Sequence, residues 1–121
     1  MLTLREYIKG NGRTKVKLSG GCVGNDILIC VYNDNAHIGS MAFAEFDSET
    51  SRTSVSLITR RGHKDDVIAQ KVSYTITKNT KMPSCVIAGI HIDSITEIEI
   101  SEILANVSQL TSDFLKGSIN E

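Results

Sequence analysis

The chain has 121 residues, of which 40% are hydrophobic and 22% charged, with a formal net charge of −1; this is the balance of a globular protein, long enough to bury a core without staples. There is no basic run, no Trp, and only 5% aromatic residues, which argues against electrostatic capture of nucleic acid or an anionic membrane and against a stacking platform for single strands. No stretch approaches the ~20 apolar residues of a membrane span, the start Met1 to Glu6 does not read as a signal peptide, and the three scattered cysteines, Cys22, Cys30 and Cys85, form no Cys-x-x-Cys pair, so reduced thiols in a cytoplasmic protein are expected.

In chain order, "REYIKGNGRTKVKL" holds two short strands around Asn11-Gly12, a dipeptide suited to a tight hairpin turn. Val16 and Leu18 then alternate with Lys15 and Lys17, which predicts one wet face. "GGCVGND" reads as a glycine loop in which Cys22 is accessible. "ILICVY", Ile27 to Tyr32, is continuously apolar, as a central strand covered on both faces would be. Cys30 and Cys85 sit inside such apolar runs and read as core fillers. After the turn "NDNAH", strands are predicted over Gly39 to Phe46 and Thr53 to Thr59, the second with Val55 and Leu57 on one face.

The pattern then changes. Apolar residues from Val67 to Val72 fall at helical spacing behind Asp65 and Asp66, predicting a helix from about Lys64 to Lys78. Its end, "VSYTIT", alternates in β-branched residues and also fits a strand. "CVIAGI" is a buried strand. Thr96-Glu97-Ile98-Glu99 has the spacing of a capping box, and Ile100, Ile103, Leu104, Val107 and Leu110 continue an amphipathic helix to about Leu115, with Gly117 as a stop. The order predicts an α+β fold in one domain over residues 1–121: a mostly antiparallel sheet of five to six strands with two helices packed on one face.

The three histidines, His37, His63 and His91, each stand near a glycine at a junction between elements, where a scaffold tends to carry its chemistry. His37, His63, His91 and Asp93 have the donor types of a zinc, manganese or iron site, although no two histidines have local ligand spacing. Asp93, ahead of Ser94 and Thr96, equally suits a turn cap. "RRGHKDD" places cations before a helix N-terminus, which suits a phosphorylated ligand or, more simply, a solvated turn. No nucleophile elbow or catalytic-cysteine signature surrounds Cys22, Ser40 or Ser94.

Taken together, "NAHIGSMAFAEF", "SVSLITRRGHKDDVIAQKV" and "CVIAGIHIDSITEIEISEIL" resemble the successive motifs of the LpdD-like family, accessory subunits D of gallate-type decarboxylases, from about Asp26 to Leu104. The resemblance implies a non-enzymatic chaperone. Such a protein would hold prenylated flavin mononucleotide after its synthesis by a flavin prenyltransferase and pass it to a UbiD-type decarboxylase. It also implies that His37, Gly39, Gly62, His63, Lys64, Gly89, His91 and Asp93 line the cofactor site, with Gly62-His63-Lys64 suited to the phosphate. Two departures from the family pattern stand out: Arg60-Arg61 replaces a more neutral approach to "GHK", and Ser94 stands where Asn is expected. Plain flavin mononucleotide is the alternative ligand. The rival reading is a metal-dependent enzyme using His37, His91 and Asp93. Strand edges favour pairing, so a homodimer is the expected assembly.

Overall fold

The structure, a computed structural model, describes residues 3–60 and 65–119. The elements are β1 (Arg5–Lys9), a 3-10 turn (Gly12–Thr14), β2 (Val16–Val23), β3 (Asp26–Tyr32), β4 (Ser40–Asp47), β5 (Arg52–Thr59), α1 (Asp66–Thr80), β6 (Ser84–Gly89) and α2 (Glu97–Ile119). Among the described residues the six strands form one sheet in the order β1-β2-β3-β6-β4-β5. The α+β expectation holds with one refinement. Neighbouring strands are antiparallel except β3 and β6, which run parallel, so the sheet is mixed. Between them the chain makes β4, β5 and α1, the long crossover that a parallel pair requires.

Both helices lie on the same face. α1 covers β4, β5 and β6, and α2 covers β1 and β2. The core forms under them from alternate strand positions: Leu18, Ile29, Val31, Ala42 and Val86 meet Val72 and Ile76 of α1 and Ile103, Leu110 and Phe114 of α2. The segment "VSYTIT" is helical, because Val72 and Ile76 are buried four apart on one side of α1. The capping box of α2 forms as its spacing predicts. The Glu99 amide donates to Thr96 Oγ1 at 3.2 Å, and the Thr96 amide donates to Glu99 Oε1 at 3.1 Å.

Three local expectations are corrected. Only part of "GGCVGND" is a loop: β2 runs through Gly20 and Gly21 to Val23, and the turn is confined to Gly24, at φ 62°, and Asn25. A Cβ on Gly20 would overlap the Phe114 ring and approach Ile29 Cδ1 to 2.8 Å, so this strand glycine admits an aromatic ring from α2. α2 also passes through Gly117, which does not stop it; there a Cβ would come within 2.6 Å of the Tyr7 hydroxyl. Finally, β3 is covered on one face only. Leu28, Cys30 and Tyr32 are half-buried on the side away from the helices, and Cys30 and Cys85 belong to that uncovered side rather than to the core. Burial among their neighbours pushes both thiols up, Cys30 with a smaller push from Cys85. Cys22 is exposed, as expected.

The uncovered face is apolar over four strands. Register puts Cys30, Ile87, Met41 and Ile58 in one row and Leu28, Cys85 and Phe43 in the next. Ile58 is 65% exposed and Phe43 40%. Gly20→Ala is expected to lower the unfolding free energy by about 1–3 kcal/mol through overpacking, measured by urea unfolding. Combining it with Phe114→Leu should cost less than the sum of the two, because both changes act on one contact.

Candidate functional site

The site stands at the carboxyl ends of β3 and β6, the position where open sheets with parallel neighbours leave a crevice. The chain leaves β3 at Asn33 and must enter β4, which lies on the far side of β6. Residues 33–39 therefore cross over the end of β6. The crossing is in backbone contact: the Gly39 amide donates to the Ala88 carbonyl at 2.9 Å. A Cβ on Gly89 would run into the backbone of His37, and one on Gly39 would run into the Asp65 carboxylate. Both glycines are bare because the protein's own atoms occupy the space beside them. The result is that the His37 and His91 rings meet edge to face, centroids 5.7 Å apart at 61°.

Beyond Gly89 the chain is no longer a strand, yet His91 and Asp93 still face each other, with His91 Nε2 2.9 Å from Asp93 Oδ1. The segment around them is tied by three residues. Asn33 holds the His91 backbone at both ends, donating from Nδ2 to the carbonyl at 2.9 Å and accepting from the amide at 3.3 Å. The Ile90 amide donates to the Asp65 carboxylate at 3.1 Å. Arg13 Nη2 donates to the Asp93 carbonyl at 2.7 Å, while its Nε reaches Glu99 at 2.7 Å. On the other side Arg60 Nη1 donates to the Ile38 carbonyl at 2.8 Å, bracing the crossing loop. Ser94 has φ of 51°, in the left-handed region that Asn adopts more readily than Ser.

The Arg13 guanidinium, helped by the Thr96 amide, holds the Glu99 carboxyl down at about 2. Arg13 thus links the β1–β2 turn, the Asp93 segment and the first turn of α2.

A hollow of about 160 Å³ opens beside His91 and Asp93, bounded also by Arg13, Lys15, Asn33 and Asp34. Sites that enclose a whole drug-sized ligand run to about 300–1,000 Å³, so this one suits the small polar end of a ligand. Its lining mixes two cations, Arg13 and Lys15, with Asn33, Asn35 and His91 and two carboxylates, Asp34 and Asp93, so the residues present fit the phosphate of a flavin mononucleotide only where the exposed Asp34 gives way. A larger hollow of about 230 Å³ between α1 and α2 is lined by Leu104, Val107 and Thr75, among others, and contains no histidine or carboxylate.

Of the residues expected to line a cofactor site, His37, Gly39, Gly89, His91 and Asp93 come together at this end of the sheet. Gly62, His63 and Lys64 lie outside the described residues, as does the start of α1 expected at Lys64. The metal set of His37, His91 and Asp93 is not formed. Among the described residues no three His, Cys, Asp or Glu side chains are placed to hold an ion, because His91 Nε2 engages Asp93 while the His37 ring meets His91 edgewise.

Sequence reasoning missed three residues that organise this end. Asp65, expected to serve the helix dipole, makes no side-chain cap at α1 and is 6% exposed against the Ile90 segment. Asn33 reads as part of the turn "NDNAH", and Arg13 is given no role. Only their long-range partners give them away.

The family described as "Prenylated flavin chaperone LpdD-like domain" matches residues 10–118, and the chain belongs to that family. No curated protein matches the chain in sequence. Among solved structures, a chain from "Crystal Structure of a Novel Chaperone Complex for Yeast 20S Proteasome Assembly" is similar with a TM-score of 0.63 at 14% identity, over 98% of this chain and 96% of that one. At that identity the likeness is one of fold. Among the described residues no helix is long and apolar enough to cross a membrane.

Glu99 supplies a pH test. Its folded pKa of about 2 lies below the ordinary 4.5, so its contribution to stability is complete above the unfolded value and is lost as pH falls toward the folded one. The urea midpoint of the wild type is expected to drop between about pH 5 and pH 2 more steeply than that of Glu99→Gln. Parallel slopes would show that the Arg13–Glu99 link contributes nothing.

Proposed function

We propose that this protein binds reduced prenylated flavin mononucleotide and delivers it to a UbiD-type decarboxylase, without catalysing a reaction itself. The family match over residues 10–118 carries the reading. The meeting of His37 with His91 and Asp93 beside a phosphate-sized hollow supports it. On this reading a flavin prenyltransferase supplies the cofactor, the exchange takes place in the cytoplasm, and His37, Gly39, Gly89, His91 and Asp93 form the described part of the site. The same reading counts Gly62, His63 and Lys64 among the cofactor-binding residues. The protein's part is to hold the cofactor's polar groups and keep water and oxygen from its ring.

The test is anaerobic co-elution of purified protein with reduced prenylated flavin mononucleotide, with plain flavin mononucleotide as a parallel arm. Retention of the prenylated form is expected, with a loss of about tenfold or more in affinity on His91→Ala from removed hydrogen bonds. Unchanged elution of the free cofactor would sink the reading. Equal retention of both flavins would instead make plain flavin mononucleotide the ligand.

The same reading includes a homodimer, paired through the uncovered sheet face. Four apolar strands at about 4.8 Å spacing give a face of about 20 by 20 Å, which the more polar β1 and β2 extend to about 30 by 20 Å, below but approaching the ~800 Å² per partner of a stable interface. Phe43→Lys with Ile58→Lys is expected to shift sedimentation from dimer to monomer. A wild type that sediments as a monomer at high concentration would rule the pairing out.

A further inference from the structure

We propose that Lys15 and Lys17 seat the phosphate of the bound cofactor, and that Asp34 is an internal stand-in for that phosphate, displaced when the ligand arrives. The proposal rests on the reading above that the ligand is a phosphorylated flavin. It assigns the phosphate to Lys15 and Lys17 rather than to Gly62-His63-Lys64.

The geometry begins with strand alternation. Lys15 and Lys17 are two residues apart, so they point the same way at the start of β2, and Lys17 pairs across the ladder with Tyr32. Asp34 follows Tyr32 by two and brings one carboxylate between both ammonium groups, with Oδ2 3.3 Å from Lys15 Nζ and Oδ1 3.0 Å from Lys17 Nζ. Two cations thus share one anion. Glu6, the other carboxylate acting on Lys17, is itself taken by the Tyr32 hydroxyl at 2.5 Å. The Arg13 guanidinium is committed to Glu99 and to the Asp93 carbonyl.

A phosphate monoester suits the remaining positive charge better than a carboxylate does. It carries up to two negative charges at neutral pH and three acceptor oxygens. Displacing Asp34 is easy, because its side chain is 63% exposed and exposed carboxylate–lysine pairs are weak. The hollow of about 160 Å³ has Lys15 and Asp34 on its wall, together with Asn33, Asn35, His91 and Asp93. A simple surface ion pair predicts that removing either partner does nothing to a ligand. A stand-in predicts opposite signs for the two partners.

The test is an anaerobic titration of wild type, Lys15→Ala/Lys17→Ala and Asp34→Asn with reduced prenylated flavin mononucleotide and with its dephosphorylated counterpart, prenylated riboflavin. Circular dichroism confirms that each variant is folded. The wild type is expected to prefer the phosphorylated form by about tenfold or more, from charge-assisted hydrogen bonds, and the double lysine variant to lose that preference. Asp34→Asn is expected to tighten binding of the phosphorylated form by about two- to fivefold, an effect that shrinks in high salt. If the lysine variant keeps the preference, or Asp34→Asn weakens binding, the proposal is overturned. If His63→Ala/Lys64→Ala abolishes the preference and the Lys15/Lys17 change does not, the seat lies at "GHK" and the flavin reading stands. If the wild type retains neither flavin, the reading itself fails and the seat falls with it.

Discussion

The close passage of one peptide segment over the end of a strand governs this structure. Because β4 lies beyond β6 in the sheet, the chain leaving β3 has to cross the carboxyl end of β6. It does so in contact, with the His37 backbone where a side chain on Gly89 would be and with a hydrogen bond from Gly39 to Ala88. Any residue larger than glycine at 89 would lift the crossing away. The imidazole carried by the crossing and the one just past the strand would then separate, and Asn33 could no longer hold the His91 backbone. The candidate site is thus a by-product of topology plus one missing side chain.

The sheet divides the molecule's labour. On one face α1 and α2 bury the apolar stripe that holds the fold together. The other face carries a second apolar area without a helix above it, and beside it the polar corner of Lys17, Tyr32, Glu6 and Asp34. The crossing, the His91 segment and that corner meet at the same end of the sheet.

Much of the architecture was legible because its signals are local. Periodicity in "EISEILANVSQL" and the Thr96–Glu99 spacing gave α2 and its cap, and alternation gave most of the strands. What failed was whatever depended on distant partners. Gly20 and Gly21 read as a loop because nothing nearby in sequence reports the Phe114 ring and the Thr3 carbonyl that need the space. A continuously apolar β3 looked covered on both sides, since hydrophobicity cannot say whether a second layer belongs to the same chain. At the candidate site, the histidines beside glycines include two, His37 and His91, whose rings the fold brings together. Asp65, Asn33 and Arg13 stayed hidden, because a charged or amide side chain in a turn looks alike whether it reaches solvent or a backbone group 58 positions away.

The parallel pairing of β3 with β6 also bears on how the molecule comes into being. Local hairpins such as β2–β3 and β4–β5 close early, since few residues separate their halves. The β3–β6 ladder must wait for the intervening hairpin and α1, and contacts of such long sequence separation form slowly. His37 meets His91 only after that ladder is made, so the candidate site is complete only at the end of folding, whereas the cluster of Lys15, Lys17 and Asp34 forms with the β2–β3 hairpin.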